Sequence, residues 1–315
     1  MTIHKDYEPI TWDGATAAAC RQLWQLAMAE DLGGGLDWTT TALIAETDQG
    51  SAAVVARQAG VVAGMRSIPL LLETIPADVR WDAHVDDGAV VGAGHIVGEL
   101  SGSARDLLQL ERSLLNLLGR LCGIASLTRR YVEAVQGTGA RVYDTRKTTP
   151  GWRRLEKFAV GCGGGCNHRL GLYDGVLIKD NHLAIGQQRV SGPVIDPAQA
   201  VVQARAFVNA HLSPHEAARI LIEIELDDLA PLKSTLAAGP DIVLLDNMSC
   251  EQLRTAVAVR DRVARHVQLE ASGGVSLSTV RQIADTGVDR ISVGALTHSA
   301  VSLDLALDWS YSRST

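Results

Sequence analysis

Residues 142–182 read VYDTRKTTPGWRRLEKFAVGCGGGCNHRLGLYDGVLIKDNH. Two short aliphatic or β-branched runs, ending at Thr145 and at Lys179, bracket a helical stretch and a glycine-rich turn, which is one strand–helix–strand repeat. The stretch also gathers Arg146, Lys147, Arg153, Arg154, Lys157, His168, Arg169 and Lys179 in a chain whose formal net charge is −7. Arg146-Lys147 and Lys179 stand where the two runs end, so their cations crown one edge of a sheet. Fixed cations in a cleft act together on an anion, so the expected guest carries several negative charges.

Downstream the same alternation continues. Arg141–Thr145, Gly175–Lys179, Ile220–Leu226, Asp241–Asp246, Val267–Ser272 and Arg290–Gly294 read as strands. Helix starts stand between several of them at Asp196-Pro197, at Ser249 and at Ser276 before Leu277, and Gly239 and Gly287 end two helices. Repeated βα units imply parallel strands, and their spacing suits a barrel. The six strands fall short of the eight of an ordinary barrel.

Upstream the pattern differs. Apolar residues from Thr16 to Ala29 recur at helical spacing and stop before Gly33-Gly34-Gly35. Ser51–Arg57 and Val61–Met65 read as a hairpin, Ile68–Thr74 as a helix, and Arg80–Val85 and Ala89–Leu100 as further strands, giving an α+β unit with an antiparallel sheet. Ser103-Ala104-Arg105-Asp106 has the form of a capping box before a Leu-rich helix, where the first domain hands over to the second.

Composition agrees. The chain has 315 residues, 46% of them apolar, enough for a large buried core, and aromatics are only 4%. Net acidity argues against a nucleic-acid surface. Five scattered cysteines suggest no disulfide framework, and no run approaches the length of a membrane span, so the reading is a soluble cytoplasmic protein without nucleic-acid or membrane partners.

In a βα barrel the chemistry sits at the C-terminal strand ends. Here these deliver Arg146-Lys147, Lys179, Glu223/Glu225, Asp246-Asn247, Ser272-Gly273-Gly274 and Gly294. Glu223 and Glu225 alternate with isoleucines, so both face the barrel interior. Glu225 and Asp246 offer hard oxygen ligands of the kind Mg²⁺ accepts while keeping waters and substrate phosphate. Ser272-Gly273-Gly274 and Ser292-Val293-Gly294 match a phosphate site built from the last two strands. Cys162-Gly163-Gly164-Gly165-Cys166 lacks a second thiol pair, and its glycines read better as room for close backbone approach. His168 admits two readings, a core histidine or a ligand-binding one, and beside Arg169 in a glycine-rich turn the second is adopted. Lys179 as a Schiff-base lysine gives way to an anion contact, and Arg154 and Lys157 fit a solvated helix face.

DTRKTTPGWRRLEKFAV, GGGCNHRLGLYDGVLIKDNH, LLDNMS, EASGGV and TGVDRISVGALTHS, with Glu111-Arg112-Ser113-Leu114-Leu115-Asn116 upstream, resemble the signature segments of the quinolinate phosphoribosyltransferase family. The resemblance implies an α/β protein: an incomplete, about seven-stranded α/β barrel preceded by an α+β domain with an antiparallel sheet, which accounts for the strand count. The expected divisions are 1–117, 118–298 and a helical tail at 299–315 that packs back on the first domain. The resemblance also implies a Mg²⁺-dependent transfer of phosphoribose from phosphoribosyl pyrophosphate to quinolinate, giving nicotinate mononucleotide, pyrophosphate and CO₂ in NAD biosynthesis. Carried over by position, Thr145, Arg146, Lys147, His168, Arg169 and Lys179 bind substrate, with Lys147, Glu225 and Asp246 at the chemistry and the last two at the metal. Ser272, Gly273, Gly274, Gly294 and His298 fall in phosphate-binding turns, and Arg112 is lent across a homodimer interface. The segment from Gly186 to Ala218 is longer than the family pattern. A relative acting on another anionic heterocycle is the rival enzyme; a lipoyl-type carrier is disfavoured because Gly92-Ala93-Gly94-His95 offers no lysine at the hairpin tip.

Overall fold

A computed structural model describes residues 5–74, 79–186 and 195–310. Its strands, in chain order, are β1 (Gln49–Ala56), β2 (Gly60–Val61), β3 (Val79–Ala83), β4 (Val90–Val91), β5 (Ile96–Ser103), β6 (Arg141–Tyr143), β7 (Val176–Ile178), β8 (Ile222–Leu226), β9 (Ile242–Asp246), β10 (Gln268–Ser272), β11 (Arg290–Ser292) and β12 (Leu305–Ser310). The chain forms two compact units. A barrel unit holds Met1–Glu8, Tyr131–Arg146 and Cys166–Ala295, and a sheet unit holds Pro9–Arg130, Lys147–Gly165 and Leu296–Thr315. The chain therefore passes between the units more often than the two cuts, after 117 and after 298, that the sequence pattern suggested.

In the barrel unit six parallel strands lie in the order β6-β11-β10-β9-β8-β7. The central ones are buried on both faces, as β8 (Ile222, Glu223, Ile224) and β9 (Ile242–Leu245) illustrate; β9 accordingly reads as a continuous apolar run, whereas β8 sets Glu223 and Glu225 between apolar residues. Beyond β6 a single parallel bridge, Tyr143 to Cys166, stands where a further strand would run; Cys166 N–H donates to Val142 O at 2.8 Å and Asp144 N–H to Cys166 O at 3.1 Å. Because β11 pairs with β6, the ring opens between Cys166 and β7, which makes the barrel incomplete. All six expected strands form, each a little shorter than its apolar run. Ser249 caps the helix Cys250–Val263 with a reciprocal bond to Gln252. Ser276 does not start a helix: its hydroxyl bonds those of Ser278 and Thr279, and the helix begins at Val280. Local hydroxyl bonding there competes with helical backbone bonding. In the segment from Gly186 to Ala218, the helix Pro197–His211 and the first part of Pro214–Arg219 follow residues 187–194, which lie outside the described set.

The sheet unit carries an antiparallel sheet in the order β12-β1-β5-β3 and a two-stranded ribbon of β2 and β4. The hairpin expected between 51–57 and 61–65 does not form. β1 pairs with β5 and β12, while Gly60 and Val61 pair with Val91 and Val90. Alternation marks a strand without naming its partner, and here the partners are distant in sequence. Nor is the C-terminal segment helical where it is described. Leu305, Leu307 and Trp309 alternate with more polar positions at period two, and β12 pairs antiparallel with β1 in the register Ala56↔Leu305 to Ser51↔Ser310. Residues 311–315 of that tail lie outside the described set. Among the described residues, no helix is long and apolar enough to cross a membrane.

Candidate active site

The C-terminal ends of the barrel strands carry the polar groups that the strand pattern placed there. Past β7, the Lys179 ammonium pairs with a Glu225 carboxylate oxygen at the end of β8. Both side chains are partly exposed, so the pair stands at the rim rather than in the core. At the end of β9, Asp246 accepts a hydrogen bond from Asn247 Nδ2 at 2.7 Å. Asn247 takes a left-handed backbone conformation, φ 54°, and its N–H donates to Ser272 O at 2.9 Å, tying the end of β9 to the end of β10. There Gly273 has φ 92°, and a Cβ on it would come within 2.1 Å of Asn247 Oδ1. The glycine is thus required both by conformation and by the close approach of Asn247. Gly274 follows at φ 59°, and the turn leaves both glycines at least partly open to solvent. Gly294 follows β11 and is partly exposed, as are Thr145 and Arg146 after β6.

Beneath this rim lies a buried polar layer. Asp144, out of contact with solvent, accepts from Asn167 Nδ2 at 2.7 Å and from the His168 N–H at 2.8 Å, pinning the loop after the Cys166 bridge to the end of β6. The His168 ring is buried, packed at 4.8 Å against the Tyr7 ring with a tilt of 32°, with Nε2 2.9 Å from Glu223 Oε2. Its Nδ1 accepts the N–H of Arg169 at 2.8 Å, and Arg169, itself buried, donates from Nη1 to Gly175 O at 3.0 Å. The core-histidine reading therefore describes the ring's contacts, while Arg169 follows it directly in the same loop. Deeper still, Arg290 of β11 donates from Nε to Glu270 of its register partner β10 at 2.6 Å, from Nη1 to Asp6 at 2.7 Å, and lies 3.6 Å over the Tyr143 ring.

These charges set one another's protonation. Burial opposes ionisation of Glu223, but His168, then Arg290 and the Tyr7 hydroxyl (3.1 Å), outweigh it and hold the carboxyl below its ordinary range. Burial likewise opposes a charged His168, whereas Glu223 and then Glu270 push its pKa up. The one ring nitrogen able to take a second proton, Nδ1, already faces the Arg169 N–H donor. We therefore assign a neutral ring with its proton on Nε2, donated to Glu223. Burial also resists the charge on Arg290, and Glu270 more than compensates.

Two carboxylate groupings could attract a metal. His168, Glu223 and Glu270 bring three donor atoms within 4.8 Å of one another. In that group the His168 hydrogen bond takes Glu223 Oε2 and the Arg290 ion pair takes Glu270 Oε2, leaving Oε1 of each carboxylate buried without a hydrogen-bond partner and the site shut off from solvent. Glu225 and Asp246 are the better match to Mg²⁺: hard oxygen donors on neighbouring strands, partly exposed, so that waters and a substrate oxyanion can complete the shell.

Three expected site residues belong to the sheet unit. Lys147 is exposed, and its carbonyl accepts from Thr297 Oγ1 at 2.8 Å. His298 is exposed with Nδ1 2.7 Å from Ser299 Oγ. Arg112 is exposed on the helix Ala104–Ala134, at a cavity of about 420 Å³ that Asn116, Gly119 and Ser302 also line. In the barrel unit the sequence reading did not single out Asp144, Asn167, Tyr7, Glu270 or Arg290. The available signal was a charged residue in a short buried parallel strand, Glu270 within β10 and Arg290 at the start of β11.

Comparison with known proteins places these features in a family. Residues 37–122 match the N-terminal domain, and residues 124–308 the C-terminal domain, of quinolinate phosphoribosyl transferase. A nicotinate-nucleotide pyrophosphorylase [carboxylating] of Mycobacterium leprae is 42% identical over 292 residues, 92% of this chain and 97% of the relative. A probable enzyme of the same name from Bacillus subtilis is 37% identical over 89% of both chains. Among solved structures, a nicotinate-nucleotide pyrophosphorylase from Francisella tularensis superposes with a TM-score of 0.84 at 32% identity, over 97% of this chain and 100% of that one.

Proposed function

The chain belongs to the quinolinate phosphoribosyltransferase family, and we propose from that premise how its own residues serve the reaction. It transfers phosphoribose from phosphoribosyl pyrophosphate to quinolinate with decarboxylation, giving nicotinate mononucleotide, pyrophosphate and CO₂, a step of NAD biosynthesis. The observation that carries this reading is the rim of the barrel. Arg146 follows β6 and Lys179 follows β7, where it pairs with Glu225 of β8; Asp246 of β9 and the glycine turn of β10 stand on the same rim, and Arg169 lies in the buried layer beneath it.

Quinolinate is a dianion, and planar guanidinium groups match its two carboxylates. Arg146, Arg169 and Lys179 are the barrel unit's cations for it, with Lys147 and, from a second copy of the chain, Arg112 completing the set. His168 supports this wall from beneath. Ser272, Gly273, Gly274, Gly294 and His298 receive phosphate through backbone N–H groups and side-chain donors. In the reaction the pyridine nitrogen bonds to C1 of the ribose as pyrophosphate departs. The ribosyl centre is positively charged in between, and Glu225 and Asp246 stabilise it from nearby. Mg²⁺, held through the same two carboxylates, would neutralise charge on the departing pyrophosphate. The positive charge of the alkylated ring nitrogen then stabilises the electron pair left on the adjacent ring carbon when its carboxylate leaves as CO₂, and that carbon takes a proton from solvent in the carboxylate's place.

The protein works as a homodimer in the cytoplasm under this reading. Purified protein incubated with carboxyl-labelled quinolinate should release CO₂ only when both phosphoribosyl pyrophosphate and Mg²⁺ are present. Turnover of nicotinate in preference to quinolinate would redirect the assignment to a monocarboxylate substrate.

A further inference from the structure

We infer that Glu223 is a positioning residue for the anion-binding loop: through the His168 ring it fixes the main chain of Arg169. The inference rests on the proposed substrate only in assigning Arg169 to the dicarboxylate. Its geometry is a short relay. Glu223 Oε2 takes the His168 Nε2 proton at 2.9 Å, and the opposite nitrogen takes the Arg169 N–H at 2.8 Å. Both ring nitrogens thus have protein partners, and the Glu223 acceptor and the Arg169 donor together set which of them carries the hydrogen.

Everything around the ring holds this arrangement in place. Tyr7 packs against it from the segment preceding Pro9 and donates to Glu223. Asp144 takes the His168 N–H from the other side. Glu270 Oε1, 3.8 Å from Nε2, lies beyond hydrogen-bonding distance, and Arg290 binds the other oxygen of that carboxylate at 2.6 Å. The charged and titratable groups facing the ring are therefore Glu223 on β8, Glu270 on β10, Arg290 on β11 and Tyr7. Of these only Glu223 has a carboxylate within hydrogen-bonding distance of the ring. Buried ligand loops hold their geometry when supporting hydrogen bonds lock the rotamer, and here the supporting carboxylate is on a central barrel strand.

Two substitutions separate this role from bulk stability. Glu223→Gln keeps a carbonyl oxygen that accepts from Nε2, while Glu223→Leu removes the acceptor at similar volume. In the Leu variant the ring proton should redistribute towards Nδ1, seen in the imidazole nitrogen shifts by NMR at constant pH. The Arg169 amide, losing its acceptor, should exchange with solvent about tenfold faster. KM for quinolinate should rise about tenfold while KM for phosphoribosyl pyrophosphate stays within about twofold, and Glu223→Gln should recover most of both effects. In a His168→Ala background, Glu223→Leu should add nothing further to KM.

The relay is wrong if the folded Leu variant keeps the wild-type ring tautomer and Arg169 protection, or if Gln impairs as much as Leu. If the wild-type protein turned over no quinolinate, the substrate assignment would fail. The nitrogen shifts and amide exchange would still decide the relay by themselves.

Discussion

Arg290 and Glu270, direct register partners on β11 and β10, meet at 2.6 Å with neither side chain exposed to solvent at all. Such a pair gains its attraction only against a large desolvation cost, so removing one partner is far worse than removing both. Asp6 is insured by other contacts, to Arg141 at 2.8 Å and Tyr143 at 2.6 Å.

Glu270→Leu is accordingly expected to cost up to about 3–5 kcal/mol, because it removes the fully buried carboxylate from a guanidinium left with only the half-buried Asp6 as its ion-pair partner. The double variant Arg290→Met/Glu270→Leu should recover more than half of that loss. Urea denaturation of the two proteins measures the difference, and equal destabilisation would show that the charges contribute independently.

Gly273→Ala tests the turn that joins the ends of β9 and β10. The added methyl meets Asn247 Oδ1 at 2.1 Å in a backbone conformation that L residues rarely adopt. Strain of about 1–3 kcal/mol is expected, and Asn247 has to move, disturbing Asp246 with it. KM for phosphoribosyl pyrophosphate should rise while KM for quinolinate changes little. The reverse pattern would place this turn at the pyridine end of the site.

The contrast between these two sites shows what a linear sequence can reveal. The rim residues were legible because each follows an apolar run, and the end of a buried strand is a position that sequence marks. Glu225, Asp246, Lys179 and Gly273 all fall there. The buried layer was hidden because its members gain meaning only through register: Glu270 and Arg290 look like isolated anomalies until the strands pair them. His168 was ambiguous for the same reason, since its partner Glu223 lies far away in the chain. In the sheet unit the strands could be read but not their partners, so the β1–β2 hairpin dissolved into longer-range pairings. The tail was mistaken for a helix because a six-residue strand at a chain end leaves little periodicity to read.

Asp13 supplies a pH-dependent contribution to the sheet unit. It caps the helix Gly14–Leu32 by accepting the Thr16 N–H at 2.7 Å, and that backbone bond first, then the Thr16 hydroxyl and Arg154, hold its pKa down at about 2. A carboxylate whose pKa is depressed on folding stabilises the protein above its unfolded value and loses that contribution as pH falls. The cap should therefore weaken as pH falls from about 3.9, the ordinary aspartate value, to about 2. Asp13 is half exposed, so the effect is small, comparable with the roughly 0.5–2 kcal/mol of an N-cap. Asp13→Asn should retain most of the cap and flatten the acid limb of the stability profile; an unchanged limb would remove Asp13 from the account.

Arg112 offers the most direct test of a shared site. It is exposed, so Arg112→Ala should change stability by less than about 0.5 kcal/mol, yet activity should be lost if the guanidinium completes the site of a second copy. Lys147, also exposed, belongs to the chain's own cation set, and Lys147→Ala should be equally inactive. In a two-fold dimer the defects are complementary: one site of a mixed dimer carries both lesions and the other carries neither. Random exchange makes half of the dimers mixed, with one intact site of two, so unfolding and refolding the inactive proteins together should restore about one quarter of wild-type activity. Each variant refolded alone should stay inactive. Failure of the mixture to recover, with subunit exchange verified by mass, would confine Arg112 to its own chain's chemistry.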